Sequence, residues 1–187
     1  MGRFMCSRGA ASAVVVLAGL VAGCSGGEEK AVPELPERIC WEAFAGADVV
    51  PILPPGDKIR LRARPFALTK GYDSRACSVD IDGATKFLAT ASLRDFKEQI
   101  EWSSMDAADP DLIDVGENGI IWSAGVATYS TCKPSQGVGS PGEYVVLRIT
   151  TDGVPDKDRL PEVLPGLLED FITFTRDELE CESDVPG

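Results

Sequence analysis

Six cysteines, at positions 6, 24, 40, 77, 132 and 181, carry most of the covalent chemistry open to this 187-residue chain. A thiol can act as a nucleophile, a metal ligand or half of a disulfide. Histidine is absent. Its absence excludes Ser-His-Asp, Cys-His and histidine general-base mechanisms, together with histidine-containing zinc and haem sites. No CxxC spacing occurs, which argues against a cysteine metal cluster. Cys40, Cys77, Cys132 and Cys181 are an even set, as disulfides in an oxidising compartment require.

Charged side chains offer weaker candidates. Lys58, Arg60, Arg62 and Arg64 alternate with Ile59, Leu61 and Ala63, so four cations share one face of a strand. Such a stripe can hold an anion, for instance a cell-wall polymer phosphate or a lipid headgroup. It can equally pair with Asp80 and Asp82, which alternate opposite Val79 and Ile81 on the next strand. Charge pairing is the preferred reading. An acidic run holding Asp106, Asp109, Asp111, Asp114 and Glu117 lacks calcium-loop spacing, because Ile113 stands where a third ligand belongs. Gly137, Gly139 and Gly142 are not followed by Gly-Lys-Ser/Thr, which excludes a phosphate-binding P-loop. Trp41, Trp102 and Trp122 fit a core better than a sugar cleft. Thirty Asp and Glu provide carboxylate pairs in excess and single out none. Catalytic residues, metal ligands and cofactors are therefore expected to be none.

The N-terminus reads as an address. Arg3 and Arg8 precede thirteen uncharged residues, Ala10 to Ala22, too few to cross a bilayer of about 30 Å as a helix. Leu20-Val21-Ala22-Gly23-Cys24 then resembles the lipobox of bacterial lipoproteins. The resemblance implies that residues 1–23 are a lipoprotein signal peptide and that the Cys24 thiol carries a diacylglyceryl group. Losing Arg3 and Arg8 would shift the formal charge from −12 to −14. An acidic domain of this kind repels nucleic acid and anionic lipid, so no nucleic-acid partner is expected.

Residues 24–36, with Gly-Gly and two prolines, read as the lipidated cysteine and a flexible tether. Residues 37–187 have the length of one domain. Cys40 to Val50 reads as a short helix, and 58–64 as a strand. Cys77 to Asp82 turns through Asp82-Gly83 into Thr85 to Leu93. Phe96 to Trp102 fits a short helix, Met105 to Asn118 a loop, and Gly119 to Cys132 and Glu143 to Thr151 two strands. From Leu160 to Ile172 an apolar stripe at helical spacing runs past Pro165, where a kink or a start is expected. The expected fold is α+β: a single domain with a twisted antiparallel sheet, a C-terminal helix on one face, and two disulfides. Four cysteines allow three pairings; Cys40–Cys77 with Cys132–Cys181 is preferred.

A lipobox and tether, Cys-Trp near the domain start, Cys-x-Val-x-x-Asp-Gly, and later cysteines ending a strand and the last helix resemble actinobacterial cell-envelope lipoproteins of unassigned function. The resemblance implies a protein on the extracytoplasmic face of the cell membrane, held by lipid on Cys24, that meets an envelope protein or cell-wall ligand. A binding or interaction module is expected rather than an enzyme. An acid-pair hydrolase of cell-wall polysaccharide and a structural envelope spacer are the alternatives.

Overall fold

Strict alternation of inward and outward side chains organises the domain around one antiparallel sheet. The computed structural model describes residues 30–69, 71–95, 102, 109–132 and 144–181. Two short strands, β1 (Arg38–Ile39) and β2 (Phe44–Ala45), pair with each other and lead into a single-turn helix, α1 (Gly46–Val49). The main sheet follows: β3 (Ile59–Ala63), β4 (Ser74–Ile81), β5 (Ala84–Arg94), β6 (Asp111–Ile113), β7 (Glu117–Trp122), β8 (Gly125–Thr131) and β9 (Tyr144–Thr151). Helix α2 (Leu160–Glu178) closes the fold. Neighbours in the sheet run β3-β4-β5-β9-β8-β7-β6, all antiparallel, so β9 inserts between β5 and β8.

Asp82 and Gly83 both have positive φ, at 51° and 86°, which matches the right-handed twist of the β4–β5 hairpin. Helix α2 lies across β8 and β9 and runs unbroken through Pro165, starting five residues before it. Leu164, Leu167, Leu168 and Phe171 on α2 are buried against Phe87, Leu147 and Ile149 of the sheet. Phe44 joins the two layers, its ring 5.4 Å from both Phe87 and Phe171. Each such side chain, fully withdrawn from water, contributes about 1.5–3 kcal/mol. The α+β expectation therefore holds, with the helix on one face.

Both disulfides of the preferred pairing are present, Cys40–Cys77 and Cys132–Cys181. The first ties the chain ahead of β2 to the sheet. The second ties the strand end at β8 to the residue three past α2.

Three sequence expectations need correction. No helix begins at Cys40: Cys40, Trp41 and Glu42 stand consecutively in left-handed backbone, with φ of 52°, 63° and 69°. Each costs about 1–2 kcal/mol for an L-residue, so surrounding contacts must hold the turn. They are the bond to Cys77, the Trp41 indole N–H donating to the Arg64 carbonyl at 2.5 Å, and the Arg38 guanidinium donating to the Glu42 carbonyl. Next, Gly119 to Cys132 is two strands, broken at Ser123-Ala124. Gly125 permits that reversal, because a Cβ there would meet the Ile149 carbonyl at 2.4 Å. Finally, the acidic loop contains a short edge strand, β6. Of the proposed 96–102 helix, all but Trp102 lies outside the described residues.

Replacing Cys40 and Cys77 together by alanine is expected to lower the unfolding free energy by about 2–5 kcal/mol, since the bond closes a long loop. Urea unfolding of the oxidised protein and the variant measures this. Equal midpoints would mean that packing alone holds the left-handed turn.

Candidate functional site

The sheet has a second face, directed away from α2. Register assigns its side chains row by row: Arg62, Ser78, Leu88 and Thr150 lie in one row across four strands. Ala76, Thr90 and Arg148 share the next, Arg60 sits opposite Asp80, and Ser74 opposite Ser92. At the far edge Ile120, Trp122 and Ala127 form a small separate cluster with Trp102. The three tryptophans therefore form no common cleft. Trp41 belongs to the helix side, in edge contact with Phe66 at 5.1 Å and stacked on Phe174 at 6.2 Å.

The structure divides the stripe of Lys58, Arg60, Arg62 and Arg64. Its first half stands among acids. Lys58, Arg60 and Arg62 line a depression of about 780 Å³ together with Asp57, Asp80 and Asp82. Asp82 accepts from the backbone N–H of Lys58 at 2.9 Å and of Asp57 at 3.1 Å, and those bonds hold its carboxyl below the usual carboxylate range. Arg62 meets Asp80 at 2.6 Å.

Asp80 is a buried acid, 4% exposed. Burial is the largest single influence and pushes its carboxyl up. Hydrogen bonds from Thr85 (2.8 Å) and Arg62, the Arg62 charge, and Ser78 together outweigh it, so the net direction is down. Asp80 thus stays ionised and anchors Arg62 upright on the face.

Beyond the Arg62–Asp80 pair the stripe runs clear of acids among the described residues. Arg62 and Arg64 line a depression of about 680 Å³ with Ser78 and Leu88, and Arg75 borders it. Leu88 is shared with a smaller one, about 240 Å³, lined by Thr90, Ser92, Arg94 and Arg148. The two adjoin and form one trough. Five of the chain's 18 cations line it, and no carboxylate does among the described residues. Arg62 is held by Asp80, Arg75 lies over the Tyr72 ring at 5.0 Å, and Arg94 donates to the neighbouring Leu93 carbonyl. Among the described residues, no ion pair or side-chain hydrogen bond engages the guanidinium of Arg64 or Arg148. Arg148 is half-buried even so. Sequence reasoning missed Arg94 and Arg148. The alternation of β5 and β9 placed them on polar faces, but nothing local says that β9 lies beside β5.

On the opposite side, α1 and α2 frame a groove of about 400 Å³ with Asp48, Glu162, Glu169 and Asp170. Burial, then the Asp48 charge, pushes the Asp170 carboxyl up. In the acidic run, Asp111 belongs to β6, and Glu117 accepts from the Thr131 hydroxyl at 2.6 Å and its backbone N–H at 3.1 Å. Among the described residues, no helix is long and apolar enough to cross a membrane, and no group of three metal-ligating side chains stands together.

Comparisons with known protein families, with curated proteins and with solved structures find no match to this chain.

Asp80→Asn is expected to cost about 1–3 kcal/mol at pH 7, the value of hydrogen bonds to a buried charged group. Because the folded carboxyl titrates below its unfolded value, that stability is present above about pH 4 and lost as pH falls further. Urea midpoints at pH 7 and pH 3 check it: the wild type loses more on acidification than the variant. Equal losses would show that Asp80 is not the acid-sensitive link.

Proposed function

We propose that the chain is a lipoprotein anchored to the extracytoplasmic face of the cell membrane through Cys24, and that its folded domain acts as a binding module. The observation that carries this reading is the accounting of sulfur. Leu20-Val21-Ala22-Gly23-Cys24 marks Cys24 for lipid, and the four cysteines after it are all consumed by two disulfides. Ordinary signal cleavage would leave an odd thiol in an oxidising compartment; lipidation leaves none.

Chain length adds a distance. Residues 24–36 were read as a tether, yet the described part already lies on the domain from Lys30. Lys30 pairs with Asp57 at 2.6 Å, the Ala31 carbonyl accepts from Gly56 at 3.1 Å, and Val32 and Leu35 pack on the core. Five residues separate Lys30 from Cys24. Fully extended, that span reaches about 20 Å, so the module works close to the bilayer. Two or more acyl chains hold a protein at a membrane stably, and no transmembrane helix is needed. The acid-free trough is the surface offered to a ligand. No constellation of the described residues favours a hydrolase over this reading.

Expression of Cys24→Ala in the native host is expected to move the protein from the membrane to the soluble or secreted fraction and to abolish labelling by radioactive palmitate. A variant that stayed membrane-bound and labelled would overturn the assignment.

A further inference from the structure

We infer that the arginine trough on the open sheet face binds an anionic glycopolymer of the cell envelope through its carboxylate or phosphodiester oxyanions. The inference rests on the lipoprotein reading only for the location of the polymer; oxyanion binding itself follows from the trough.

Charge complementarity carries the argument. In a chain with 30 acids and 18 cations, two adjoining depressions collect arginines and no acid among the described residues. Cationic residues kept only for solubility are interspersed with acids, as they are at the Lys58 end of the same strand. Arg62 and Arg64 stand on one wall and Arg148 on the other, about three strand spacings or 14 Å apart. A guanidinium fork takes carboxylate or phosphate in two parallel hydrogen bonds, and those of Arg64 and Arg148 have no other use among the described residues.

The floor selects the rest of the ligand. Thr90 and Thr150 present hydroxyls, and Leu88 and Val146 supply a narrow apolar strip. Sugar rings, polar at their edges and weakly apolar on their faces, suit such a floor. Among the described residues no aromatic ring lines the trough itself, Tyr129 and Tyr144 standing beside it on the same face, and the chain's formal charge of −12 disfavours nucleic acid.

Position favours a polymer, and the vesicle arm of the test separates it from lipid headgroups. The chain enters the domain at Lys30 beside Asp57, which lies with Asp82-Gly83 at one end of the strands. Arg62, opposite Ser78, is four residues along β4 from that turn, and the trough extends onward to Ser74 and Arg94. At about 3.4 Å per residue it begins some 14 Å from the anchored end and runs away from it.

The test uses the purified full-length mature protein in detergent, with polygalacturonate and poly(glycerol phosphate) as probes. Neutral dextran and phosphatidylglycerol vesicles complete the set. Binding to one or both polyanions is expected, weakening as salt rises, with none to dextran. The polymer bound more tightly identifies the oxyanion. Arg64→Gln with Arg148→Gln should weaken binding about tenfold or more, given the strength of hydrogen bonds to charged groups. Arg159→Gln with Arg176→Gln, on and just before α2, should leave it unchanged and so separates a trough effect from net charge. Unaltered urea midpoints would show that both pairs fold. The inference is overturned if neither polyanion binds, if the two double variants lose equally, or if the vesicles alone bind through the same arginines. Failure of the lipid anchor would show in palmitate labelling and leave these affinities untouched.

Discussion

A sheet of seven strands has two faces, and among the described residues this chain provides one long helix. Helix α2, helped by α1 and the chain around Cys40, covers one face and buries Phe44, Phe87, Leu147 and Phe171 there. On β3, β4, β5 and β9 the other face is mostly polar, with serine, threonine and arginine outward, while β7 and β8 bury Ile120, Trp122, Ala127 and Tyr129 on it. This asymmetry sets the remaining features. It explains why both disulfides lie with the covered side, fastening the chain before β2 and the end of α2 to the sheet. It also leaves a broad, rigid, hydrogen-bonded platform facing solvent, which is the arrangement from which a binding surface can be built without loops.

Charge is then distributed unevenly over that platform. An acidic protein gains solubility from its net charge, and arginines without counter-charges gain it nothing locally. At the Lys58 end Asp57, Asp80 and Asp82 stand among the cations, and Arg62 alone of the stripe makes an ion pair among the described residues. Two strand positions further on no acid does so among the described residues. The buried, ionised Asp80 holds Arg62 at the boundary between the two regimes, while Arg64 and Arg148 beyond it have no ion pair among the described residues. The unmatched half makes sense as a surface completed by something else.

Much of this is legible in the sequence. The 58–64 stripe, the Asp82-Gly83 turn and the helix after Leu160 are local patterns, and local backbone physics honours them. Cys40–Cys77 and Cys132–Cys181 are the preferred of three possible pairings, and both are present although the helix expected at Cys40 is not. What escaped was non-local. Left-handed backbone at Cys40, Trp41 and Glu42 is imposed by a bond to Cys77 and a hydrogen bond to Arg64, not by any preference of those residues. The reversal at Ser123-Ala124 has no strong turn pair, and only the space needed beside Gly125 reveals it. The trough itself is a product of register. Arg62 and Arg148 are 86 positions apart and share one face only because β9 inserts beside β5.

The most direct test of whether the open face is where this protein meets its ligand is arginine footprinting in place. Phenylglyoxal labelling of intact cells, followed by peptide mass mapping, compares each arginine with its counterpart in the purified protein. The account predicts that Arg64 and Arg148 are protected in the envelope, whereas Arg159 and Arg176 react equally in both settings. Equal reactivity at all four positions would contradict it.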